Sequence, residues 1–332
     1  MLTKRKEYSY KSPLAPFMTR LVQEKRATGH KYDTPARVLK DLDDFLCATT
    51  SQSDELTKAQ MQQWLEKYPD EQPSTVQRRI VLVRQLARLM IRLGHTAYVP
   101  PEGIGPHRSY QFSPRIFTRA EVRKIIQAVD AITPGPRSPL RHLILPEVFR
   151  LLYGCGFRLS EVLMLKVRDV DLQQGVITVR QGKFGKDRLV PPAIDMVERL
   201  RRYADAMGQR ALPKQKAGAF FFPSAEGRPW HTSSIYQYYR KILLQCGIPH
   251  GGRGKGPRVH DLRHTFAVHR LLQWYEQGAD LNTKMPFLVA YLGHHDFTGT
   301  QKYLHLTAEL FPEIAARMNQ QFGCAIPPRR SA

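Results

Sequence analysis

The sequence predicts a mainly α-helical protein with one small antiparallel β-sheet, divided into two domains. Apolar residues recur at three- and four-residue spacing through most of the 332 residues, the period of an amphipathic helix. Residues 175–192 (GVITVRQGKFGKDRLVPP) alternate in steps of two instead, the period of a strand. Residues 94–117 hold four prolines and three glycines between helical patterns, a composition that interrupts both kinds of element and suits a connection. The expected organisation is a helical domain over 1–105, a linker over 106–116 and a second domain over 117–332.

In the first domain, helical spacing runs over 14–27, 34–47, 57–67 and 74–93. Thr34 before Pro35, and Thr57 three residues before Gln60, are helix-start signals, because the hydroxyl accepts from a first-turn N–H that has no partner within the helix. The last helix carries Arg78, Arg79, Arg84, Arg88 and Arg92 on its polar side, either a solvated face or a stripe facing DNA. In the second domain, Thr118 and Glu121 form a capping box ahead of a helix, and 140–153 form a more apolar one ending at YGCGF. A hairpin over 175–192 breaks at Gly185. GAFFFPS (218–224) reads as a short strand and SSIYQYYRKILLQCGI (233–248) as a helix. Residues 258–273, 283–292, 299–308 and 310–321 are helical again.

Charge narrows the function. There are 51 Lys and Arg against 29 Asp and Glu, a net of +22, which points to a polyanionic partner. Up to residue 110 the count is 18 against 12, and beyond it 33 against 17. Cations spread along both halves favour nucleic acid, whose phosphates repay distributed charge by counterion release, over a membrane, which attracts short basic clusters beside an anchor. No run of about 18 apolar residues could span a bilayer. The N-terminus has no apolar core of a signal peptide, so a cytoplasmic, nucleoid-associated protein is expected. Cys47, Cys155, Cys246 and Cys324 are too dispersed for a disulfide framework or a cysteine zinc site.

The chemistry concentrates in RVHDLRHTFAVHR (258–270). On a helix, His260, Arg263 and His264 share one face, beside a buried face of Val259, Leu262 and Phe266. HDLRH imitates the zinc-binding HExxH helix, but Asp261 is a methylene short of the required base and Arg263 would set a fixed cation beside the metal. GGRGKGPR (251–258) lacks the phosphate-loop spacing, and Gly256 stands where the Mg²⁺-binding hydroxyl belongs. No carboxylate cluster suggests a two-metal nuclease. Cutting a phosphodiester without metal then needs fixed cations and a side-chain nucleophile. Arg158 in CGFRLSEVLML, with Glu161 three residues on as its partner, and Arg263 are the candidate cations, since rigid guanidinium forks match phosphate oxygens. In YLGHHDFTGTQKYLHL (291–306), Gly293 ends one helix, Thr298 and Gln301 open the next, and Tyr303 falls inside it.

R-x-x-E at 158–161, H-x-x-R-H-x-x-A at 260–267, L-G-H at 292–294 and Y-x-H at 303–305 occur in this order. Together they resemble the tyrosine recombinases, the phage-integrase family, over the whole chain. The resemblance implies an N-terminal SAM-like core-binding domain and a tyrosine-recombinase catalytic domain. It implies Tyr303 as the nucleophile, forming a 3′-phosphotyrosyl bond with no ATP, metal or other cofactor. Arg158 and Arg263 would clamp the nonbridging oxygens, His260 would carry the phenolic proton, and His294 would hydrogen-bond the scissile phosphate. Lys183 in QGKFGKDR would protonate the 5′-oxygen, although Phe184 stands where glycine is usual and Lys186 is a second candidate. Glu161 would support Arg158, and His264 would pack and hydrogen-bond; His269, His295 and His305 are left as surface or structural groups. The implied partners are double-stranded DNA with inverted-repeat core sites and three further copies in a homotetramer. Its C-terminal helix (309–322) is exchanged between protomers or else folds back on its own core. A lengthened stretch before L-G-H, and Val268 where the family has threonine, favour a mobile-element recombinase over a chromosome-dimer resolvase. Two rivals remain: a binder of this fold without catalysis, and a type IB topoisomerase.

Overall fold

The computed structural model describes residues 7–49, 54–66, 71–105, 114–180, 187–209, 217–252 and 256–293. The chain divides into two units, Met1–Phe112 and Ser113–Ala332. In the first, α1 (Ala15–Ala27), α2 (Asp33–Ala48), α3 (Lys58–Leu65) and α4 (Pro73–Arg92) enclose a core built on Met18, Leu39, Leu42, Met61, Trp64, Val83 and Leu86. The Thr57–Gln60 capping box opens α3 as the residues suggest.

Two details of this unit differ from expectation. Helix α2 begins one residue ahead of Thr34, and its cap is Tyr32, held in the left-handed region at φ 54°. The Tyr32 hydroxyl donates to Gln85 of α4 at 2.7 Å, so a long-range contact, not a threonine cap, sets the start. Nor do the five arginines of α4 form one stripe. Arg79 is only 6% exposed; it stacks on Trp64 and donates to the Trp64 and Glu66 carbonyls at 2.5 and 2.8 Å and to Glu71 at 2.7 Å. Arg84 donates to the Pro100 and Pro101 carbonyls, and Arg92 pairs with Glu24. Arg78 and Arg88 stay exposed.

The second unit orders α5 (Arg119–Asp130), α6 (Arg141–Gly154), α7 (Leu159–Met164), β1 (Val170–Asp171), β2 (Val176–Val179), β3 (Arg188–Val190), α8 (Ile194–Gln209), α9 (Thr232–Gln245), α10 (Asp261–Glu276) and α11 (Leu281–Leu292). The Thr118–Glu121 capping box is formed. The three strands make an antiparallel sheet in the order β1-β2-β3, with Ile177 opposite Val190 and Val179 opposite Arg188; the hairpin's break at Gly185 lies outside the described residues. GAFFFPS is not a strand. Its ladder pairing is limited to single bridges at Phe220 and Pro223, with the Phe221 N–H donating to the Leu165 carbonyl and the Val167 N–H to the Ala219 carbonyl, while Phe221 and Phe222 pack against Tyr203 of α8. Helix α8 went unread, although Val197, Leu200, Tyr203 and Met207, all buried, recur at helical spacing.

Helix α6 runs through the centre, and Ile144, Leu145, Val148, Phe149 and Leu151 are each fully buried. Helix α10 joins two clusters: Leu262 belongs to the main core, whereas Phe266, Val268, Leu271 and Leu272 pack with Met285, Leu288 and Leu292 of α11. This double anchoring holds the start of α10 beside the end of α11, where the candidate residues meet.

Candidate active site

Helix α10 starts at Asp261, three residues later than expected, with His260 as its N-cap. Asp261 is no base. It is 1% exposed and accepts the Arg258 backbone N–H at 2.8 Å, while the Asp261 carbonyl accepts from Thr265 at 2.8 Å. Among the described residues, no three His, Cys, Asp or Glu side chains cluster as metal ligands would.

Arg263 sits on the first turn of α10 and is 1% exposed. It donates to the Gly156 carbonyl at 2.5 Å and to the Leu292 carbonyl at 2.6 Å. Arg158, the N-cap of α7, donates to Glu161 at 2.7 Å and to the Gly293 carbonyl at 3.1 Å. The structure thus brings both guanidinium groups to neighbouring carbonyls at the C-terminal end of α11. That end carries unpaired carbonyls and partial negative charge, so cations gather there without help from a ligand. Gly293 closes the helix in the left-handed conformation at φ 65°, the expected glycine cap.

Glu161 accepts from Arg158 and, through both oxygens, from Arg188 at 2.9 and 2.8 Å. Burial alone would raise its pKa, but the paired guanidinium groups outweigh burial and hold it near 2. Sequence reasoning assigned Arg188 no part. A signal was present: Arg188 lies two residues before Val190, so strand alternation puts it on the same inward face as that fully buried valine.

His260 lies against His264, the two rings edge to face at 4.7 Å. Burial, then Arg263, Arg158 and Arg258, lower the His260 pKa to about 4. It is therefore neutral at pH 7, as a proton acceptor must be. An unfolded chain binds a proton on this histidine below its ordinary pKa of 6.5, whereas the folded one refuses it until about 4. The unfolded state thus binds more protons across that window, and acid favours it. Stability is expected to fall by on the order of 2–3 kcal/mol as pH drops from 7 to 4.5. Urea midpoints of wild type and His260→Gln check this; an unchanged slope in the variant would assign the acid sensitivity elsewhere.

The turn between α6 and α7 holds Gly156 at φ 62°, where an added Cβ would stand 2.5 Å from Phe266 and 2.8 Å from Leu292. Gly156→Ala is expected to lose about 2–4 kcal/mol, from left-handed strain plus overpacking, measured by chemical denaturation. Its carbonyl holds Arg263, so the arginine should shift as well. Lys183, His294 and Tyr303 lie outside the described residues, as do Lys186, His295 and His305. His269 is buried against the Tyr153 hydroxyl, 2.9 Å from its Nδ1, well inside the fold.

Residues 115–309 match the phage integrase family model. A putative integrase/recombinase, y4rB, of Sinorhizobium fredii is 30% identical over 302 residues, covering 91% of this chain and 95% of the relative. Tyrosine recombinase XerD of Ralstonia nicotianae is 31% identical over 252 residues, 76% of this chain and 75% of that one. In fold, the chain is similar to the XerH site-specific recombinase solved on a palindromic difH substrate, with a TM-score of 0.65 at 16% identity, over 95% of this chain and 99% of that one. It is also similar to a lambda integrase fragment solved on a core site, with a TM-score of 0.61 at 18% identity, over 87% and 94%. The chain belongs to the phage integrase family. It is a tyrosine recombinase, an enzyme class of site-specific DNA recombination.

Proposed function

We propose that this recombinase serves a mobile element, cleaving and rejoining duplex DNA at inverted-repeat core sites through a 3′-phosphotyrosyl intermediate. The observation that carries it is the convergence of Arg158 and Arg263 on the Gly293 and Leu292 carbonyls, one step along the chain from His294 and ten from Tyr303. Two fixed guanidinium groups suit the charge that grows on the nonbridging oxygens of a phosphodiester under attack. Tyr303 Oη forms a bond to phosphorus as the bond from phosphorus to the 5′-oxygen breaks. His260 takes the phenolic proton and Lys183 gives one to the departing oxygen. Attack by a 5′-hydroxyl reverses these steps and frees the tyrosine, so the covalent bond conserves the energy of the broken linkage. The phosphate's own charge offsets the two arginines when DNA binds and lifts the His260 pKa toward the working range. His294 hydrogen-bonds the phosphate, Glu161 orients Arg158, and His264 packs beside His260.

The net charge of +22 suits DNA, and the related structures on difH and on a lambda core site hold theirs. Four protomers, coupled by exchange of the helix over 309–322, would carry out pairwise strand exchange. No helix among the described residues is long and apolar enough to cross a membrane. Length between α10 and L-G-H, and Val268, favour a mobile element. The test is a set of nicked suicide duplexes tiled across the DNA flanking the gene, from which the cleaved strand diffuses away. Covalent trapping confined to an inverted repeat supports the proposal; trapping on any duplex supports a topoisomerase, and binding without trapping an inactive relative.

A further inference from the structure

We propose that Arg188 is a positioning residue for strand cleavage, holding Glu161 so that Glu161 in turn aims Arg158. The inference rests on Arg158 and Arg263 being the phosphate clamp. Arg188 begins β3, and its side chain is 10% exposed. Its Nη1 and Nη2 donate to the two Glu161 oxygens at 2.9 and 2.8 Å, its Nε donates to the Tyr291 carbonyl at 3.0 Å, and its guanidinium carbon lies 5.8 Å from the centre of the Phe157 ring. All three nitrogens are engaged by Glu161 and the Tyr291 carbonyl, and its effect on cleavage runs through the link from Glu161 to Arg158.

The Tyr291 contact completes a pattern. Arg188, Arg263 and Arg158 take the carbonyls of residues 291, 292 and 293 in turn, supplying donors that the last turn of a helix lacks. Arg188 is packed into this cap: a Cβ on Gly293 would stand 2.9 Å from its Cδ. Tied to α11 in this way, Arg188 gives the shared carboxylate a fixed bidentate mate. Glu161 then offers Arg158 one defined direction. Without Arg188, Glu161 is left with the Arg158 backbone N–H at 2.8 Å as its fixed donor, its second oxygen is no longer pinned, and the clamp loses its aim. A lysine offers one compact charge and cannot span both carboxylate oxygens and the carbonyl together.

Arg188→Lys, Glu161→Gln, their double variant and Arg158→Lys are compared on the suicide duplex that wild type cleaves, at a temperature where melting curves show each protein folded. Single-turnover cleavage by Arg188→Lys at saturating protein is expected to fall about 100-fold, the cost of a misplacement near 1 Å, with DNA affinity within about threefold. In the Glu161→Gln background the same substitution should cost under about threefold more, because the two act in series. A wild-type cleavage rate for Arg188→Lys, or its full loss repeated in the Glu161→Gln background, overturns the proposal and leaves the clamp standing if Arg158→Lys is impaired. Normal cleavage by Arg158→Lys removes the clamp and this inference with it. Should Arg188→Lys melt below the assay temperature, Arg188→Gln is judged by the same outcomes.

Discussion

A Tyr303→Phe variant is expected to bind its DNA site with near-normal affinity yet leave no protein joined to DNA, a loss of at least about 10⁴-fold in cleavage. The change removes one oxygen and keeps the ring, so packing around it is preserved while the atom that would bond to phosphorus is gone. Denaturing gels of suicide-substrate reactions read the result directly. Phosphate held between Arg158 and Arg263 would still be bound and polarised, which is why affinity should survive. A covalent adduct that persists would take Tyr303 out of its proposed role. Tyr153, Tyr239 and Tyr291 make poor substitutes, since burial raises the pKa of each phenol and disfavours the phenolate.

Arg263→Lys is expected to reduce cleavage by about 10²–10³-fold, the range for removing one stabilising donor from a developing oxyanion, and to lower stability as well. The guanidinium spans two carbonyls, Gly156 on one side and Leu292 on the other, at 2.5 and 2.6 Å. An ammonium satisfies one of them and leaves a buried carbonyl without its donor, at roughly 1–3 kcal/mol. Both the rate and the melting temperature should therefore fall, in contrast to Tyr303→Phe, where only the rate should. Cleavage near the wild-type rate would count against Arg263 as part of the clamp.

Helices with long regular apolar spacing were legible to within a few residues, α1, α4, α5 and α6 among them, and so were the Thr57 and Thr118 capping boxes, because a cap is made by residues three apart. Errors arose where distant contacts overrode local preference. Tyr32, tied to Gln85, replaced Thr34 as the start of α2, and GAFFFPS, with strand-forming composition, pairs only through single bridges while its aromatic rings join the core around Tyr203. Arg79 reads as surface on a helical wheel, and only Trp64, Glu66 and Glu71, brought close by the fold of α3 against α4, make it interior.

The sequence by itself determined the family, the kinds of group available and their order, since four spaced motifs in fixed order are specific together where each alone is not. Only the tertiary structure decided that Arg158, Arg188 and Arg263 meet on three successive carbonyls, across separations of 135, 103 and 29 residues. No local rule encodes such a meeting. It follows from α10 packing against both α6 and α11, which carries the start of one helix to the charged end of another, where cations are held by geometry rather than by neighbours in the chain.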